Sequence, residues 1–232
     1  MAKKHKPKKA SKKAKPKAAP VPKQVVVPRF SDEKAFEMVR AARIPVVPYM
    51  FIKKVEDLPV ALKKLGFPAV LKVSGERIVH KSDVGGVVKN VNTLPEAEEA
   101  FKKLMKIRGA EKVAVQKQLS GFELIIGAKS DPQFGEIISV GIGGVYAEVM
   151  KDVAFRVCPI IINDAVAMVK ELKGFEIIAG ARGEKPVKFE ALYDVLMKVS
   201  SFAAKNRVKE MDLNPLICSN EGCWAVDVRI MK

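Results

Sequence analysis

Residues 67–73 read Phe67-Pro68-Ala69-Val70-Leu71-Lys72-Val73, a short apolar run with one lysine embedded in it. The run lies between a proline and a polar loop, and its length and aliphatic content predict a buried strand. The flanking sequence alternates. Residues 57–65 carry a helical pattern closed by Gly66, a loop with Gly75 and His80 follows, a second strand is expected near residues 86–91, and residues 95–107 form a helix. Upstream, Ser31-Asp32-Glu33-Lys34 is a helix start with acidic residues in the first turn, and the helix runs to about Ala42. Ile44-Pro45-Val46-Val47-Pro48-Tyr49 is an extended, proline-marked segment. Alternation over the first 110 or so residues predicts an α/β or α+β unit.

The second half is richer in strands. Residues 113–116 and 122–128 are expected to pair around a turn at Ser120-Gly121, and residues 136–141 form another strand running into Gly141-Ile142-Gly143-Gly144. Residues 164–172 and 189–204 have helical periodicity. Residues 211–218 and 223–230 face each other across Ser219-Asn220-Glu221-Gly222, a hairpin candidate.

Composition limits the classes. The chain has 232 residues, 48% of them hydrophobic, which is enough for a real core. No apolar run approaches the ~18 residues needed to cross a bilayer, and no apolar segment follows the charged opening as in a signal peptide. A soluble, cytoplasmic protein is expected. Cys158, Cys218 and Cys223 lack a zinc spacing and are read as buried or free thiols of a reducing compartment. The net charge is +16, but ten lysines and no acid fall within residues 1–24, which leaves +6 for the body. This Lys/Ala/Pro tail repels itself and has nothing to bury, so it is expected to be disordered. Without aromatic residues it offers no base-stacking platform, which argues against nucleic acid as the main partner.

Several residues bring chemistry. A lysine in a buried strand is costly unless its ammonium meets an anion, so Lys72 is a candidate phosphate ligand; a strand-edge lysine reaching water is the other reading. His80 is the one histidine outside the tail, set in His80-Lys81-Ser82-Asp83-Val84-Gly85-Gly86. An imidazole can take a phosphoryl group and pass it on, and the lysine and glycine amides beside it suit that charge. Alternatively it is a surface histidine in a turn. In Met211-Asp212-Leu213-Asn214-Pro215 the period of two puts Asp212 and Asn214 on one strand face, and Asp227 lies on the facing strand. Oxygen ligands from two strands suit Mg²⁺, which completes its shell with phosphate and water. Ordinary turn and capping acids would look the same one at a time. The glycines of 141–144 allow a phosphate to approach but match neither a P-loop nor a dinucleotide fingerprint. Arg182, in the loop 180–186, could grip a carboxylate or phosphate, or be solvated.

Taken in order, residues 67–73 (FPAVLKV), 79–86 (VHKSDVGG), 131–135 (DPQFG), 141–144 (GIGG), 151–156 (KDVAFR), 179–186 (AGARGEKP) and 211–216 (MDLNPL) resemble the β subunits of ADP-forming acetyl-CoA synthetases, acyl-CoA synthetases of the succinyl-CoA synthetase superfamily. The resemblance covers roughly residues 30–232 and omits the tail. It implies an α+β chain with the ATP-grasp fold, divided into subdomains at 25–110 and 111–232 behind the disordered segment 1–24. Lys72 then looks like the lysine that reaches the nucleotide phosphates. Gln116, Lys117, Gln118 and Leu119 look like the hinge that receives adenine, and Glu123 looks like the acid that contacts the nucleotide. Asn214 and Asp227 look like the Mg²⁺ ligands, with Asp212 beside them. His80 looks like the family's second phosphohistidine, on a loop that relays phosphate between subunits.

The implied reaction is acyl-CoA + ADP + phosphate ⇌ carboxylic acid + CoA + ATP, with ATP/ADP and Mg²⁺ as cofactors. A CoA-binding α subunit carrying the first phosphohistidine is the implied partner, in an α2β2 heterotetramer. Two other classes remain open: an ATP-grasp carboxylate ligase that needs no phosphohistidine, and a nucleic-acid-binding protein acting through its lysine tail.

Overall fold

The computed structural model describes residues 28–78, 80–144, 152–183 and 185–231. The tail therefore lies outside the described residues, as do Val79, Lys151 and Glu184 of the quoted stretches and the side chain of Arg182. No helix among the described residues is long and apolar enough to cross a membrane.

Two antiparallel sheets organise the chain. The first holds β1 (Tyr49–Ile52), β2 (Ala69–Ser74), β3 (Val87–Val91) and β4 (Lys112–Lys117) in the order β1-β4-β2-β3. Helices α2 (Leu58–Leu65) and α3 (Leu94–Met105) cover it. Each turns one apolar stripe inward: Leu58, Ala61, Leu62 and Leu65 from α2, and Ala97, Ala100, Phe101 and Leu104 from α3. Gly66, at φ 79°, ends α2 in a conformation that few other residues accept. Thr93 caps α3 by accepting from the Glu96 amide.

The second sheet holds β5 (Phe122–Asp131), β6 (Gly135–Ile142), β7 (Val153–Val157), β8 (Glu210–Cys218), β9 (Cys223–Ala225) and β10 (Val228–Met231). Its order is β10-β8-β5-β6-β7, with β9 also paired to β8. The helices α4 (Ile162–Lys170) and α6 (Phe189–Asn206) bury their apolar sides with Leu124, Ile126, Ile138, Val140 and Leu213 in the larger of the two cores. The short α5 (Phe175–Ile178) lies between them in sequence.

The structure corrects three expectations. Residues 113–116 and 122–128 do not pair: β4 sits between β1 and β2 in the first sheet, and β5 pairs with β6 and β8 in the second. Val113, Ala114, Val115 and Gln116 are all buried, as expected for a strand flanked on both sides, so residues 118–121 carry the chain from one sheet to the other instead of turning a hairpin. A divide at 110/111 therefore falls inside the first unit. It fails at the N-terminal end too, because Ala35, Phe36 and Val39 of α1 (Asp32–Ala41), with Ile44 and Val47, pack into the core of the second sheet.

Third, Cys218 and Cys223 form a disulfide; only Cys158 is free. The two cysteines are register partners on adjacent strands, with Cα atoms 4.1 Å apart. Spacing in the sequence does not reveal that register. Burial raises the pKa of the Cys158 thiol, opposed by a hydrogen bond with Ser200. The terminal hairpin forms as expected, except that its second strand breaks at Val226-Asp227 into β9 and β10.

Candidate functional site

A cleft of about 730 Å³ is lined from both sheets and from the His80 loop. Of the residues singled out in the sequence, Lys72, His80, Gln116, Lys117, Gln118, Leu119, Glu123, Asn214 and Asp227 line it.

Lys72 is 7% exposed on the middle strand β2. Its Nζ donates to the Val226 carbonyl at 2.6 Å, and Gln116 Nε2 donates to the same oxygen at 3.2 Å. That oxygen is available because the second hairpin strand breaks there. Burial lowers the Lys72 pKa to about 8, with Asp227 pulling it back up and Lys81 pushing it further down. The buried ammonium lies at the cleft wall with a single main-chain acceptor, where an anion would be a favourable partner.

The four residues 116–119 form the strand end leading from the first sheet into the crossing. The Lys117 amide donates to Pro48 O and the Gln118 amide to Pro68 O, which fixes the backbone. The Gln118 side chain clasps Asn90, accepting from its amide and donating to its Oδ1, each at 2.6 Å. Val70, Val87, Ile125 and Ile217 add apolar surface to the cavity, suited to a flat aromatic ring.

Glu123, on β5, is partly exposed and lies 3.8 Å from Lys89 Nζ. The glycine run explains itself against this residue. Gly143 N donates to Glu123 O at 2.7 Å, and a Cβ on Gly143 would meet that carbonyl at 2.8 Å. The close approach excludes a larger residue, and Gly144 reaches the cavity wall.

At the hairpin, Asn214 N donates to Asp227 O at 3.2 Å, so the two residues sit side by side. Asp227 accepts from Lys81 Nζ at 2.8 and 3.1 Å and from the Val228 amide at 3.1 Å. Among the described residues no cage of three or more His, Cys, Asp or Glu assembles. One carboxylate and one amide oxygen at a cleft wall nevertheless fit Mg²⁺, which takes few protein ligands and keeps phosphate and water for the rest.

Asp212 does not join them. It shares a strand face with Asn214, as the period of two requires, but lines a separate pocket with Glu210, Lys129 and Phe155. Burial raises its pKa, aided by Glu210 and opposed by Arg229.

Sequence reasoning missed the support beneath the His80 loop. Asp32 is 3% exposed and meets Arg29 at 2.9 Å and Lys81 at 3.4 Å. Arg29 Nη2 also donates to Gly75 O and Ile78 O at 2.9 and 2.7 Å. A first-turn acid in a helix passes for an ordinary dipole partner, and nothing local marks this one as buried.

The family described as the ATP-grasp domain matches residues 28–231. The chain is 38% identical over 209 residues to the β subunit of acetate–CoA ligase [ADP-forming] I of Pyrococcus furiosus, covering 86% of this chain and 90% of that one. It is 43% identical over 183 residues to acetate–CoA ligase [ADP-forming] II of Archaeoglobus fulgidus, but spans only 27% of that longer protein. In structure it resembles acetyl-coenzyme A synthetase 1 of Ca. Korarchaeum cryptofilum in complex with coenzyme A and Ca-AMPCP, with a TM-score of 0.83, 36% identity, and 88% and 93% of the two chains covered. Another state of that synthetase holds coenzyme A and Mg-AMPPCP, with a phosphohistidine segment pointing towards the nucleotide binding site; its TM-score is 0.77 at 35% identity, over 88% and 92% of the chains. The cleft between two sheets and these likenesses agree: the chain belongs to the ATP-grasp family, among the β subunits of ADP-forming acetate–CoA ligases.

Proposed function

We infer that the chain binds a nucleotide and a divalent cation, Mg²⁺, in the cleft between its sheets, and that His80 carries a phosphoryl group to ADP. The observation that carries this reading is the convergence of Lys72, Glu123, Asn214, Asp227 and His80 on one cavity from both sheets and the loop between β2 and β3.

Each residue then has a physical task. Residues 116–119 and the apolar wall receive the adenine. Lys72 brings positive charge to the phosphates, and Asn214 and Asp227 hold the cation. Mg²⁺, when bound, offsets the charge of the phosphates and of the incoming phosphoryl group. In the transfer to ADP, the bond between the His80 ring nitrogen and phosphorus breaks while a terminal oxygen of ADP forms the new P–O bond. The imidazole leaves as a neutral ring, ready for the next phosphoryl group. The positioned cations are what lower the barrier.

The phosphoryl group reaches His80 from a CoA-binding α subunit that forms the acyl phosphate and carries the first phosphohistidine, in an α2β2 assembly. The net reaction is acyl-CoA + ADP + phosphate ⇌ carboxylic acid + CoA + ATP. Relatives named as β subunits support a separate partner. The test is co-purification with a CoA-binding partner and an assay of ATP formation from acetyl-CoA, ADP and phosphate with Mg²⁺. ATP formation that needs both chains is expected. ADP release that depends on an amine, with no phosphoryl group on this chain, would favour a ligase without a phosphohistidine.

A further inference from the structure

Lys81, the residue after His80, stands between two carboxylates. Its Nζ lies 2.8 and 3.1 Å from the oxygens of Asp227, and 3.4 Å from Asp32 Oδ2. Asp227 comes from the break in the terminal hairpin, and Asp32 from the first turn of α1. Asp32 Oδ2 is buried and, among the described residues, is the one buried side-chain nitrogen or oxygen without a hydrogen bond. Its sister oxygen is held by Arg29, which also takes the carbonyls of Gly75 and Ile78 just before His80. The His80 loop is thus tied on both sides, and both ties end on Asp32.

A buried carboxylate oxygen without a hydrogen bond is expensive, and the ammonium at 3.4 Å is the group that compensates it. With Arg29, Lys81, Asp32 and Asp227 all charged, the cluster is neutral. A divalent cation on Asp227 disturbs that balance, because it shares the oxygens that Lys81 now contacts and its charge repels the ammonium. Asp32 Oδ2, at 3.4 Å, is a carboxylate oxygen already within reach of Lys81.

We propose that Asp32 is a positioning residue that receives Lys81 when a divalent cation takes Asp227, so that the base of the His80 loop stays anchored in the cation-loaded state. The inference rests on the reading of Asp227 as a cation ligand. It adds two residues, Asp32 and Lys81, whose contacts with that ligand make cation loading and loop position one coupled event.

The experiment titrates Mn²⁺ alone into the full chain and follows free Mn²⁺ by electron paramagnetic resonance. It compares the parent, Lys81→Met, Asp32→Asn, their double variant and Asp227→Asn. Lys81→Met should tighten Mn²⁺ binding by about tenfold, because the competing ammonium is gone. Asp32→Asn should weaken it by about threefold in the parent and leave it nearly unchanged in the Lys81→Met background, where no ammonium needs a second acceptor. General damage to the fold does not move two single variants in opposite directions. An equal loss from Asp32→Asn in both backgrounds would reduce Asp32 to a distant charge and overturn the handover, as would unchanged affinity in Lys81→Met. Mn²⁺ binding that survives Asp227→Asn would instead sink the cation reading itself. Should Asp32→Asn fail to fold, Asp32→Ser takes its place in both backgrounds, and an equal loss in the two again overturns the handover.

Discussion

The ammonium of Lys72 donates to the main-chain carbonyl of Val226 at 2.6 Å, a bond that joins the four-stranded sheet to the six-stranded one across the cleft. It sets the lysine at the junction of the two units, with its ammonium held by the opposite sheet at the wall of the cleft. Its burial also makes the protein's stability depend on pH in a definite direction.

The folded pKa of Lys72 is about 8 against 10.5 ordinarily, with burial the main cause. Between those values the unfolded chain binds more protons than the folded one, so stability rises with pH from about 8 to 10.5. Below the folded pKa the penalty of the buried charge is fully present. Lys72→Met should therefore flatten this part of the stability profile in thermal melts, and weaken ADP binding by on the order of tenfold or more through loss of a phosphate contact. A parental slope in the variant would assign the pH dependence to other groups.

Asp212 and Asp227 should behave oppositely on substitution. Asp227→Asn removes a carboxylate from the cleft and should lower Mg²⁺-dependent turnover by about a hundredfold or more, with the fold retained. Asp212→Asn lies in another pocket and should leave turnover close to that of the parent. Because the folded pKa of Asp212 is raised, its charge opposes folding as pH rises above the ordinary carboxylate range, so this variant should hold or gain melting temperature at neutral pH. Steady-state rates against Mg²⁺ concentration and melts at pH 7 separate the two.

His80 is exposed at the cleft mouth and does not anchor the core. His80→Ala should stop ATP formation in the assembled enzyme and leave ADP affinity intact. Incubation of the complex with labelled ATP and Mg²⁺ should place acid-labile, base-stable phosphate on this chain in the parent and none in the variant. Parental turnover in His80→Ala would mean that the partner's phosphohistidine hands its phosphoryl group directly to ADP.

Residues 1–24, with ten lysines and no acid, have no apolar surface of consequence to bury. Their removal should leave melting temperature and turnover nearly unchanged. A large loss of either, measured by calorimetry and by the coupled assay, would give the segment a structural or catalytic part.

The sequence by itself determined the local pieces and singled out residues that line the cleft. Lys72 is legible because a lone cation in an aliphatic strand conflicts with its surroundings, and His80 because no other imidazole lies outside the tail. Asn214 and Asp227 are legible because a short polar turn between two apolar runs brings opposite strands together. Periodicity also gave the faces correctly: Asp212 and Asn214 do share one. Two residues along a strand amount to roughly 6.6 Å, however, enough to put them in different pockets. That outcome depends on what lies above the strand, and the strand's own sequence does not encode it.

Only the tertiary structure decided which strands became neighbours. β4 and β5 are adjacent in sequence and were expected to pair, yet each is completed by strands distant in the chain. A strand's hydrophobic pattern says how many faces it buries but not which edge it bonds. The same holds for Asp32, 49 residues before Lys81 and 195 before Asp227 in sequence and joined to both through one ammonium. Helix α1 brings Asp32 there by packing its apolar side into the core of the second sheet, a long-range choice made by burial.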